Sequence, residues 1–160
     1  MTIAGCTGHQ QLGSAADVAW VRREIGRTVA EHNVDMGMTS LAMGADQLFA
    51  TVLIERNIAF TAVIPCRQYE ETFDQIGVRN YRDLLQLATN TEVLSYDRPS
   101  EEAYYEAGKA IVERAGFMIA VWNAKPAKGL GGTADIVAYA KEQRRTIVHI
   151  NPDSRKVELL

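Results

Sequence analysis

The sequence predicts an α/β fold: a Rossmann-like, doubly wound, mainly parallel sheet with helices on both faces. Three observations predict it. Short apolar runs of strand length alternate with longer stretches of helical periodicity along the whole chain. Gly, Pro, Asn and Ser punctuate the points where strands should end. A chain of 160 residues, 47% hydrophobic and 23% charged, can bury a core without disulfides or metals. Right-handed crossovers then give the sandwich, expected as a single domain over residues 1–160.

Taken in order, residues 2–6 are an apolar run broken by Thr7-Gly8. Ala15, Val18, Val21, Ile25 and Val29 recur at helical spacing, which predicts a helix over 14–31 with Ser14 as N-cap and Asp17 three residues on. Residues 34–40 read as a strand diluted by Asp35 and Gly37, and 46–56 as a helix through Leu48, Phe49, Val52 and Leu53. Ala59–Ile64 is a buried strand stopped by Pro65. Residues 69–75 and 78–88 look helical, 92–96 a short strand, and Glu101–Arg114 a helix with Ala103, Ala107 and Ile111 on one face. The most apolar run, 117–122, is predicted to be a central strand. A loop over 123–130, a helix over 133–143 and a strand over 146–150 follow. Residues 154–160 fit either a frayed end or an edge strand.

Composition narrows the function classes. Seventeen basic against twenty acidic side chains give a formal charge of −3, which disfavours a nucleic-acid partner. The basic groupings Arg22-Arg23-x-x-x-Arg27 and Arg144-Arg145 fall on helices or their ends and read as solvated faces. No apolar run approaches the roughly 18 residues of a membrane span, and the N-terminus reads as lacking a targeting leader. The expectation is a cytoplasmic protein with no membrane partner. Two distant cysteines, Cys6 and Cys66, and three histidines, His9, His32 and His149, have no metal-ligand spacing. No metal and no cofactor are expected, and the thiols read as small buried apolar groups.

In such a sheet, ligands bind beyond the carboxyl ends of the strands, where helix N-termini also point. Those ends carry Thr7-Gly8-His9, Ser40-Leu41-Ala42-Met43-Gly44-Ala45-Asp46, Pro65-Cys66-Arg67, and Asn123 with Gly131-Gly132-Thr133-Ala134-Asp135. Three of the four combine small residues with a hydroxyl at the entry to a helix. Glycine admits close approach of a ligand to the backbone, free N–H groups bind an anion, and Thr7, Ser40 and Thr133 add hydroxyls. This is a phosphate cradle without a lysine; neither G-x-x-x-x-G-K-[ST] nor G-x-G-x-x-G occurs. Each segment also has a plain structural reading. Thr7-Gly8 can be a turn, Gly44-Ala45-Asp46 a helix start, Gly131-Gly132-Thr133 a loop end with a cap, and Trp122 a core residue. His9 and Arg67 can serve a ligand or lie idle in solvent, and Tyr104 can reach a base or ribose or pack on the sheet. The joint occurrence of these segments on one edge favours binding.

The set Thr7-Gly8-His9, Ser40-x-Ala42-x-Gly44-Ala45-Asp46, Ile64-Pro65, Ile119-Ala120-Val121-Trp122 and Gly131-Gly132-Thr133-Ala134 resembles the SLOG superfamily. That group joins the Rossmann domain of DNA-processing protein A (Smf) with the LOG, or "lonely guy", cytokinin-activating phosphoribohydrolases. The resemblance runs over residues 3–152 and is greatest to small stand-alone members. It implies a pocket for a nucleotide or nucleotide-derived ligand. Some relatives sense ADP-ribose-type signals in antiphage defence, and others cleave nucleoside monophosphates. Carried over to this chain, it places the phosphate over Gly8, Gly44, Gly131, Gly132 and Thr133, with Thr7, His9, Ser40, Ala45 and Pro65 around it. Trp122 and Tyr104 then lie near base or sugar.

Departures bear on turnover. LOG enzymes carry P-G-G-x-G-T-x-x-E, whose glutamate acts at the ribose; Thr133 matches the threonine, and Ile136 stands in the glutamate's place. Asp135, one residue early, and Asp46 are the remaining candidate catalytic acids for a nucleoside 5'-monophosphate N-glycosidase. Each serves equally well as a helix N-terminal acid. Gln10 stands where relatives commonly have an arginine. The resemblance further implies a homo-oligomer formed through surface helices. A purely structural or assembly module is the third reading, and it predicts no nucleotide binding.

Overall fold

A computed structural model describes residues 1–127 and 129–160. Strands β1 (Ile3–Gly8), β2 (Met36–Thr39), β3 (Ala59–Ile64), β4 (Asn90–Val93), β5 (Phe117–Val121), β6 (Thr146–Asn151) and β7 (Lys156–Leu159) form one sheet in the order β4-β3-β2-β1-β5-β6-β7. The first six are parallel, and β7 runs antiparallel to β6. Helices α1 (Ala15–Glu31), α2 (Ala45–Glu55) and α3 (Gln75–Leu87) connect steps in one direction, and α4 (Glu101–Arg114) and α5 (Thr133–Glu142) connect steps in the other. Right-handed crossovers therefore put the first three on one face and the last two on the opposite face. The core divides accordingly. Val21, Ile25, Phe49, Leu53 and Tyr81 fill one layer, and Ala107, Ile111, Ile136, Val137 and Ala140 the other. The doubly wound, mainly parallel sheet expected from the sequence is the fold observed.

Local chemistry sets the element ends. Ser14 caps α1 in a reciprocal box with Asp17, and the Asp74 carboxylate caps α3 by accepting from the Gly77 N–H at 2.7 Å. Strand β5, buried along its whole length, lies between β1 and β6 as its apolar run predicts. Three boundaries differ from expectation. β1 continues to Gly8 because Thr7 and Gly8 pair with Ala120 and Val121. Residues 69–75 shorten to a 3-10 turn, Tyr69–Thr72, and α3 starts at Gln75 behind its Asp74 cap. β4 begins at Asn90 rather than residue 92, since its register follows pairing of Asn90 with Thr61. The strand is exposed at all four positions, so it carries no apolar pattern. The 154–160 segment ends in the edge strand β7. Among the described residues, no helix is long and apolar enough to cross a membrane.

Candidate functional site

The sheet order reverses direction between β1 and β5, and the crevice above their carboxyl ends is where such folds receive ligands. The starts of α2, α4 and α5 converge on this edge, with α5 packed over β1 and β5.

On the β1 side the glycines serve close packing. A methyl at Gly8 would stand 2.5 Å from Ala45 Cβ and 2.9 Å from Val121 Cβ, so the first turn of α2 rests directly on β1 and β5. Gly44 has φ +82°, and a methyl there would collide with the His9 and Gln10 carbonyl oxygens. The Ala45 N–H donates to the His9 carbonyl at 3.0 Å. Leu41, fully buried, holds φ +56°, a strained conformation for a bulky side chain. Its N–H donates to Thr39 Oγ1 and its carbonyl accepts from Gln47 Nε2. No sequence signal marks Leu41. Only its neighbours on both sides of the turn explain it.

Asp46 lies beneath this loop, buried to 6% exposure. Its Oδ2 accepts from the Ala42 N–H at 3.3 Å, and the Ser40 backbone, the Thr39 hydroxyl and the Cys6 thiol are polar neighbours that favour its charged form. Burial outweighs them and pushes its pKa up to about 7. Burial, with Asp46 beside it, also raises the Cys6 thiol well above its ordinary value. The Asp46 carboxyl thus fastens the 40–42 backbone from below.

Across the switch point, His9 joins the two strand ends. Its N–H donates to the Val121 carbonyl at 3.0 Å, and its Nε2 accepts from the Asn123 N–H at 3.0 Å, which leaves the ring proton on Nδ1. Trp122 is half-buried, and its Nε1–H donates to the Lys125 carbonyl at 2.9 Å. His149 Nε2–H donates to the Trp122 carbonyl at 2.6 Å, with the two rings 5.2 Å apart.

The approach to α5 is built differently. Gly131, with φ +87°, sits on the first turn of α4, where a methyl would meet the Glu101 carbonyl and the Tyr105 nitrogen at 2.9 Å. Its N–H donates to Asp135 Oδ2 at 3.0 Å, which turns that carboxylate back onto the loop. Glu101 Oε2 accepts from the Leu130 N–H at 3.4 Å. Gly132 is the N-cap of α5 and Thr133 its first residue. Among the described residues, no protein acceptor takes the N–H groups of Thr133 and Ala134. Lys128, inside the loop expected over 123–130, lies outside the described residues. Ile136 is buried against Gly108 of α4, so the position of the LOG glutamate points into the core.

The remaining candidates lie around this edge. Pro65 and Cys66 are buried, Ser40 is half-buried, and Arg67 is exposed with its N–H on the Tyr96 carbonyl at 2.9 Å. The Tyr104 ring lies 6.1 Å from that of Tyr69. Burial beside Cys66 raises the Tyr104 pKa. Thr7, Gly8, His9, Gly44, Ala45, Trp122 and Asn123 thus form one contacting group, and Gly131 joins Tyr104 and Tyr105 in another. Glu101, which steadies the 130–131 loop, was not singled out by the sequence; its side chain carries no motif, only a place on the first turn of α4. Among the described residues, no three His, Cys, Asp or Glu side chains are grouped to hold a metal ion.

No family model and no curated protein match the sequence. Solved structures do match. DNA processing protein A from Streptococcus pneumoniae superposes over 93% of this chain and 50% of its own, with TM-score 0.66 and 16% identity. It has the SLOG-type fold. DNA processing protein A from Helicobacter pylori covers 92% of this chain and 64% of its own, with TM-score 0.67 and 10% identity. The molybdenum cofactor binding protein of Rippkaea orientalis covers 94% and 76%, with TM-score 0.61 and 14% identity. The chain therefore spans one half to two thirds of the DNA processing proteins it resembles. At these identities the SLOG resemblance read from the sequence holds for the fold.

Proposed function

We propose that the crevice above β1 and β5 binds a nucleotide or nucleotide-derived ligand, such as an ADP-ribose-type signal, and releases it intact. The observation that carries this reading is the start of α5. Its N–H groups at Thr133 and Ala134 have no protein acceptor among the described residues, and they open onto the switch point of a parallel sheet. A phosphate fits there, with Trp122 and Tyr104 offering ring faces for base or sugar. Holding rather than cleaving is supported by the two candidate acids. Asp46 is buried under the 40–42 loop, and Asp135 is engaged by Gly131. In this reading residues 1–160 work as one ligand-binding domain in the cytoplasm, as a sensor or a sequestering protein, paired with a second copy of the chain.

The neighbours supply the competing ligands: the Helicobacter protein binds single-stranded DNA and the Rippkaea protein binds the molybdenum cofactor. The test incubates the protein with nucleoside monophosphates, ADP-ribose and its cyclic forms, an oligothymidylate and the molybdenum cofactor. Melting is followed, and the small molecules are recovered for mass spectrometry. A nucleotide at about 100 times its Kd adds roughly 2.7 kcal/mol, a rise of about 5–10 °C for a chain of this size. That rise with intact ligand is the expected result. Release of free base makes the protein a glycosidase, and a response to DNA or the molybdenum cofactor alone overturns the nucleotide reading.

A further inference from the structure

The α1 and α2 helices enclose a groove of about 390 Å³ lined by Arg22, Arg23, Arg27 and Arg56, with Glu55, Gly26 and Val52. Four arginines line it against Glu55, and with Glu24 and Glu31, which pair with Arg27, the cluster carries a formal +1 on a chain whose net charge is −3. Arg22 pairs with Glu55, and Arg27 with Glu24 and Glu31. No ion pair joins Arg23 or Arg56 to a carboxylate among the described residues. Gly26 lies between them. A glycine inside a helix costs about 1 kcal/mol against alanine, and this one is buried mid-way along α1. A methyl there would stand 3.0 Å from Arg56 Nη2, so the bare backbone is the bed on which that guanidinium lies. Arg22 and Arg23, four and three residues earlier, flank the same stripe of the helix. Arg23 and Arg56, the two without a carboxylate partner among the described residues, add unbalanced positive charge to the groove, and a bound anion would offset it.

We propose that this groove is a second binding site, separate from the crevice, for a compact diphosphate group. Guanidinium forks match phosphoryl oxygens bidentately, and two of them are uncommitted here. The lining holds no aromatic ring on which a base could stack, and the arginines form a cluster rather than a track. Both features favour a diphosphate over a nucleic-acid strand.

Pyrophosphate is the probe, titrated calorimetrically into the full chain at about 150 mM salt, where screening suppresses diffuse attraction. Binding with a Kd under about 1 mM is expected. Arg23→Ala and Arg56→Ala should each weaken it about tenfold or more, while the response of the crevice to nucleotides stays unchanged. Gly26→Ala should keep or raise the melting temperature and still weaken pyrophosphate, because its methyl displaces Arg56. The proposal is overturned by absence of binding up to about 10 mM, or by affinity that is the same in all three variants. An oligothymidylate that binds more tightly than pyrophosphate through the same arginines also overturns it, in favour of nucleic acid.

Discussion

The two flanks of the crevice carry the same sequence signal, small residues and a hydroxyl leading into a helix, yet they are built for different ends. On the β1 flank, Gly8 and Gly44 are filled to contact by Ala45, Val121 and the 9–10 carbonyls, and the backbone of the 40–42 loop is held from beneath by Asp46. On the α5 flank, Gly131 is braced on α4, while a methyl at Gly132 would press tightly on the Ala127 methyl alone, and the helix start has no protein acceptor, among the described residues. Glycine before a helix thus has two physical causes, close packing of a helix on a strand and room for a ligand. Only the neighbours across the sheet distinguish them.

Substitutions can break this contrast. The largest effect is expected at Gly44→Ala, which adds a side chain at φ +82° against two carbonyl oxygens. Positive-φ strain and overpacking together should cost about 3–5 kcal/mol, read from urea denaturation. A cost near zero would mean that the β1 flank is as open as the other.

Next comes the acid under the loop. Burial raises the Asp46 pKa to about 7, so between its ordinary value and 7 the folded chain keeps a proton that the unfolded chain has lost. Stability should then fall as pH climbs through that window and level off above it. The loss should be on the order of 2–4 kcal/mol between about pH 4 and pH 8. Asp46→Asn, which keeps the acceptor without the charge, should flatten this slope. An equal slope in the variant would locate the titrating group elsewhere.

A smaller effect belongs to the support of the open flank. Ser100 caps α4 by accepting the Ala103 N–H at 3.1 Å, and Ser100→Ala should cost about 1 kcal/mol in thermal unfolding. The smallest change in stability is expected at Gly132→Ala, within about 0.5 kcal/mol, because among the described residues the Ala127 methyl at 3.0 Å is what must give way. Its effect should appear as weakened nucleotide affinity. Strong destabilisation there would erase the difference between the flanks.

Much of the scaffold was legible because its causes are local. Ser14 with Asp17, the apolar run of β5 and the 59–64 strand before Pro65 each signal themselves. β4 was misplaced because its register is set by β3 and none of its side chains is buried. The site was legible as a set of segments and less so as chemistry. Asp46 reads as a helix-start acid, and its buried role depends on Cys6 and Thr39 from two different strands. Likewise, Arg22, Arg23 and Arg27 read as a solvated face, because Arg56 joins them only through the packing of α2 on α1.

The central place of β1 has a consequence for synthesis. One edge of β1 pairs with β2, which follows it closely, but the other must wait for β5, whose paired residues begin at Phe117. At ribosomal rates of about 5–20 residues per second, that backbone edge stays unpaired for roughly 5–20 seconds on each nascent chain. During this interval it is open to pairing with another chain, so expression yield should respond to translation speed between α1 and β5.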